Sequence, residues 1–158
     1  MATATLISPS MDEAQASISA LLDLSNVRAK LAHPEEGTGL GSDQLDLMEA
    51  EYHKYLALQL AYPDADIVPC KLVDEIWHQH ILDTIAYRAD CQAIFGRFLD
   101  HFPYFGMRGD EDAQALSDAY AETLVRYRRH FGEPPAATWI FADAATCKRT
   151  NCKPTKCR

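Results

Sequence analysis

The stretch DEDAQALSDAYAETLVRYRRHF, residues 110–131, decides the class of this protein. Leu116, Tyr120, Leu124, Tyr127 and Phe131 recur at steps of three and four, the period of an α-helix with one apolar face. Asp110 is placed to cap it, and Glu111 and Asp112 fall in its first turn. Arg126, Arg128, Arg129 and His130 fill the last turn, and Gly132 and Pro134 end it. The charges complement the helix dipole at both ends.

Working outward, the same period recurs upstream. HFPYFGMRG (101–109) is an aromatic loop, and a short helix, weakened by Gly96, is expected before it over about 90–99. A longer helix starts near Pro69 and runs into the high eighties. Its Val73, Trp77, Ile81 and Thr84 lie within about 80° of one another. Another helix runs from Ser42 or Asp43 to about Ala61, striped by Leu45, Met48, Tyr52, Leu56 and Leu60. The first helix opens on a capping box, Ser10 with Glu13, and continues to Leu31 with a bend near Ser25-Asn26. HPEEGTGLGS (33–42) is a loop. No segment alternates long enough to be a strand. The expectation is all-α: a compact bundle of about five helices over 1–146, with TWIFA (138–142) packed back on it. A disordered Cys/Lys-rich tail over 147–158 follows.

The chain has 158 residues, 47% of them hydrophobic and 24% charged, ordinary values for one globular domain. A chain of this size buries roughly 70% of its unfolded surface. No apolar run approaches the roughly 18 residues of a membrane span. The N-terminus lacks a basic region and a long apolar run, so a cytoplasmic location is expected. The net charge of −8 is unevenly spread. Residues 147–158 hold five of the fifteen basic residues and no acidic one, leaving 1–146 with a formal −13. Such an acidic body argues against binding nucleic acid.

Three of five cysteines, Cys147, Cys152 and Cys157, lie in the tail at a period of five, each followed by a basic residue. Without a secretory signal they do not suggest a disulfide framework. Neighbouring Lys and Arg favour the thiolate, so the tail is a candidate for Cu(I) or Zn, for modification, or for docking a protein partner.

Two carboxylate–imidazole pairs carry the chemistry. Glu49 and His53 are four apart on the second expected helix, and Asp74 and His78 four apart on the third. Facing helices of bundles build metal sites from such pairs, and imidazole with carboxylate suits Zn, Fe or Mn. His101, on the aromatic loop, can be aimed back at the bundle. Asp74, His78 and His101 are the first candidate ligands, with His53 and Glu49 as further ligands or supports. His78 and His80 differ by about 200° on a helix and do not share an ion. His80 faces the side of Thr84, Tyr87 and Cys91; a Cys91–His80 dyad fits the spacing but has no evident orienting group. The competing account is a polar core in which Asp74 orients His78 and Glu49 orients His53, with no ion. Trp77 and the HFPYFG aromatics read as packing, and Cys70 and Cys91 as buried apolar residues.

The run Val73-Asp74-Glu75-Ile76-Trp77-His78-Gln79-His80-Ile81-Leu82 resembles the V-D-x-x-W-H-x-H-(I/L)-L core of the glycine-rich domain-containing protein-like family. Tyr87, Asp90-Cys91, Phe95-Gly96, Leu99-Asp100-His101, Pro103-Tyr104, Glu51-Tyr52 and Tyr55-Leu56 extend the likeness over roughly 45–131. That resemblance implies a role for Asp74, Trp77, His78, His80, Cys91 and His101 but no settled activity. The glycine-rich C-terminal region is replaced here by the Cys/Lys/Thr tail. Three functions follow from the sequence: a metal site between helices, a non-catalytic interaction module with a structural histidine core, or a working tail.

Overall fold

The computed structural model describes residues 10–136, 138 and 139. The tail, with Cys147, Cys152 and Cys157, lies outside them. Among the described residues there are six helices and no strand. These are α1 (Met11–Leu21), α2 (Ser25–Ala32), α3 (Ser42–Ala61), α4 (Lys71–Leu82), α5 (Thr84–Phe95) and α6 (Asp110–Phe131). The all-α reading holds, and the sixth helix comes from one break that the periodicity does not mark.

The expected first helix is two. The Ser10 hydroxyl accepts from the Glu13 N–H (3.3 Å), and the Glu13 carboxylate accepts from the Ser10 N–H (2.9 Å), so the capping box forms. The chain then leaves the helix at Leu22 rather than bending at Ser25. Asp23 Oδ1 accepts from the Ser25 N–H at 3.0 Å and from its hydroxyl at 2.5 Å, restarting the helix as α2. Leu22 and Leu24 flank this joint and are both buried.

A second boundary moves further. The expected helix into the high eighties stops at Leu82, because Asp83 takes a non-helical conformation. Its carboxylate accepts from the Ala86 N–H at 3.3 Å and caps α5. Gly96 then ends α5 in the left-handed conformation (φ 66°) instead of sitting inside a helix. At α6 the cap is Gly109, not Asp110. Asp112 instead reaches back, accepting from the backbone N–H groups of Gly106 (2.6 Å) and Arg108 (3.2 Å). Gly106 has φ 84°, and a Cβ there would lie 2.5 Å from Leu116 Cδ2, so the aromatic loop is pinned to α6 where only glycine fits.

α3 is the hub and packs against α1, α2, α4 and α6. Its Met48, Tyr52, Tyr55, Leu56 and Leu58 are buried, together with Glu51. Glu51 is only 1% exposed. Its carboxylate accepts from Lys54 Nζ (2.7 Å), the Tyr127 hydroxyl (2.8 Å) and Trp139 Nε1 (2.7 Å). These bonds tie α3 to α6 and to the segment after it, and Trp139 is buried against the ring of Tyr127. Removing one partner of a buried charge leaves the others unpaired and is costly. Glu51→Ala is therefore expected to lower the unfolding free energy by about 3–5 kcal/mol in urea titrations. Tyr127→Phe, which leaves two donors on Glu51, is expected to cost about 1 kcal/mol.

Candidate functional site

α4 presents Asp74 and His78 one turn apart on one face. His101 comes from the loop that follows α5. The loop is held by Tyr87, whose hydroxyl donates to the Leu99 carbonyl at 2.6 Å and accepts from Trp77 Nε1 at 2.9 Å. Trp77 in turn packs its ring 4.5 Å from that of His101. Thus Tyr87 fixes the strand of chain leading to His101 and also the aromatic wall on which His101 rests.

The three side chains converge. His78 Nε2 lies 2.9 Å from His101 Nε2, His101 Nε2 lies 3.2 Å from Asp74 Oδ1, and His78 Nε2 lies 3.5 Å from that oxygen. Their side chains keep 13–21% of their exposure, so the cluster is sheltered but reachable. Burial holds the His78 imidazole below the ordinary histidine range, opposed by Asp74 and reinforced by His101. A neutral imidazole keeps a lone pair for a ligand or a hydrogen bond. Asp74, His101 and Trp77 line a cleft of about 300 Å³ bounded by the α3–α4 connection and the aromatic loop.

The other expected ligands lie elsewhere. Glu49 accepts from Arg28 Nη1 of α2 at 2.5 Å, and Arg28 also binds Asp46. His53 Nδ1 faces the Ser19 hydroxyl of α1 at 3.4 Å, and its Nε2 lies 3.9 Å from Glu49. This pair looks toward α1 and α2, and it is not among the groups that converge with Asp74, His78 and His101. The face of α3 that carries Glu49 and His53 meets α1 and α2, apart from the triad.

His80 does turn away from His78, as a 3.6-residue period requires. Its Nδ1 faces the Tyr52 hydroxyl at 3.0 Å, and its Nε2 faces Asp90 Oδ2 at 2.9 Å. Asp90 is the orienting group that the sequence did not reveal. Both ring nitrogens are thereby engaged, so neither is left to activate Cys91, which is buried. Trp77 is core, as expected, but it also walls the cleft. The roles of Glu51 and Tyr87 emerge only in the fold. Glu51 had a readable signal, since Met48, Tyr55 and Leu58 place it mid-stripe at helical spacing.

The sequence model of the UCP032817-like family matches residues 24–122. The chain belongs to that family. This corrects the resemblance to the glycine-rich domain-containing protein-like family, because the segments that carried it, from Glu51 to Tyr104, fall inside the UCP032817-like match. The triad, Tyr87 and Trp77 all lie within the UCP032817-like span, while α1 and Trp139 lie outside it. No curated protein and no solved structure matches the chain. No helix among the described residues is long and apolar enough to cross a membrane.

Four histidines, His53, His78, His80 and His130, are held below their ordinary value, each chiefly by burial. Below a pH of about 6.5 the unfolded chain therefore binds more protons than the folded one, and stability falls as pH drops through that range. The urea midpoint is expected to be lower at pH 5.5 than at pH 7.5, well above the pH at which carboxylates titrate. An unchanged midpoint would contradict the neutral assignment of these rings.

Proposed function

We propose that Asp74, His78 and His101 hold one divalent transition metal, and that the ion's remaining coordination positions serve a small molecule in the cleft. The observation that carries this reading is the size of the triangle their ligating atoms form. Its sides are 2.9, 3.2 and 3.5 Å. A circle through the three atoms has a radius of about 1.9 Å, so all three could reach one ion at about 2.1 Å. Three ligands on one face of a tetrahedral or octahedral ion have that spacing.

Two imidazoles and one carboxylate, with positions left over, suit Zn or Fe(II), with Mn less favoured by the nitrogen donors. Such an ion supplies Lewis acidity, an activated water, or oxidative chemistry in the case of iron. The chain's own contribution is to keep His78 neutral, to fix His101 through Tyr87 and Trp77, and to shield one side with apolar walls.

A second reading has its own support. With one imidazole donating, His78, His101 and Asp74 satisfy one another by hydrogen bonds and need no ion. In that case the protein is a non-catalytic module with a polar core.

Elemental analysis after equilibration with zinc separates the two. One zinc per chain is expected, with Asp74→Asn, His78→Ala and His101→Ala each weakening it by at least about 100-fold. The helical circular dichroism is expected to persist in all three. Replacing Cys147, Cys152 and Cys157 by serine is expected to leave the stoichiometry unchanged. No zinc in the wild type, with the alanine variants merely less stable, would leave the hydrogen-bonded core as the answer. Zinc lost only with the cysteines would assign the metal to the tail.

A further inference from the structure

The cleft beside the triad narrows the class of small molecule, an inference that rests on the metal reading above. Its volume, about 300 Å³, is at the lower end for small-molecule sites. Ile67, Leu99, Phe102, Phe105 and Leu116 give it an apolar wall on one side. Four charged side chains besides Asp74 also line it: Lys71, Arg97, Asp66 and Asp100. All four are exposed. Arg97 donates to the Phe98 carbonyl (3.4 Å), and neither it nor Lys71 forms an ion pair among the described residues. Lys71 stands three residues before Asp74 on α4, so its side chain shares the face that carries the triad.

The charges can be balanced. Lys71 and Arg97 offset Asp66 and Asp100. A dication held by Asp74 and two neutral histidines would leave one net positive charge at the cleft. One negative charge on the bound molecule neutralises it. A phosphate monoester, carrying nearly two charges, overshoots.

We infer that the cleft takes a small monocarboxylate with an apolar body, its carboxylate directed to the metal and Lys71 and its body against Phe102 and Trp77. The carboxylate would take an open coordination position, and Lys71, one helical turn before Asp74 and lining the same cleft, would supply the counter-charge. The apolar side of the cleft, with Phe102 and Trp77, accepts a ring or branched chain.

The test uses the full chain loaded with Co(II), whose visible spectrum reports ligation, and three probes: 3-phenylpropionate, its neutral amide and acetate. Calorimetry is expected to show 3-phenylpropionate binding at least about tenfold tighter than either of the others. The Co(II) absorption is expected to shift with the acid and not with the amide. Lys71→Gln is expected to weaken the acid about fivefold without changing metal stoichiometry. Phe102→Ala is expected to weaken the acid and spare acetate. If Co(II) binds but acid and amide bind alike, or acetate matches the larger acid, this inference is overturned while the metal reading stands. If no Co(II) binds, the metal reading fails, the cleft keeps a net negative charge, and the inference falls with it.

Discussion

The Tyr87 hydroxyl is the point on which the site depends. It donates to the Leu99 carbonyl and accepts from the Trp77 indole, so one oxygen fixes two routes to the same place. Through Leu99 it sets where the chain leaves α5 and hence where His101 starts. Through Trp77 it orients the ring that His101 packs against. Without that oxygen, His101 would hang on a loop between the αL end of α5 and the Asp112 anchor at Gly106. A loop fixed only at its ends does not hold a side chain to the few tenths of an ångström that ligation or a hydrogen-bonded cluster demands. Tyr87 is buried, and burial holds its phenol protonated far above physiological pH, so the bond to Leu99 persists.

Around that point two polar networks cross the core. Tyr52, His80 and Asp90 form a chain of hydrogen bonds from α3 through α4 to α5. Glu51 gathers Lys54, Tyr127 and Trp139. At their centres Glu51 and His80 are buried, with their side-chain partners bonded around them. The triad differs: its atoms satisfy one another within a sheltered cluster that remains in contact with a cleft. That difference, rather than the number of histidines, makes it the candidate site. Buried networks that are complete specify one packing, and a reachable cluster of ligating atoms leaves room for a guest.

Much of the scaffold was legible because α3 and α6 are long and strongly periodic, and because capping residues and glycines act locally. The α4–α5 joint was not legible, since Asp83 brings neither proline nor glycine, and its capping bond exists only once α5 has formed. The Asp74–His78 pair could be read from its spacing because both members lie on one helix. His101 could be named only as a loop histidine, since its position depends on the contacts of Tyr87 and Trp77 across the fold. Glu49 and His53 show the limit of the same rule: a four-residue step says that two side chains share a face, not which helix that face meets. Arg28 of α2 met it, and a partner twenty-one residues upstream of Glu49 leaves no trace in local spacing. Asp90, likewise, orients His80 from the next helix.

The central claim is that the ion belongs to the triad and not to the thiols of the tail. X-ray absorption at the zinc edge, on the full-length zinc-loaded chain, tests it most directly. The account predicts nitrogen and oxygen scatterers at about 2.0–2.1 Å, with the outer-shell pattern of two imidazoles. A shell of sulfur at about 2.3 Å would contradict it and move the metal to cysteine.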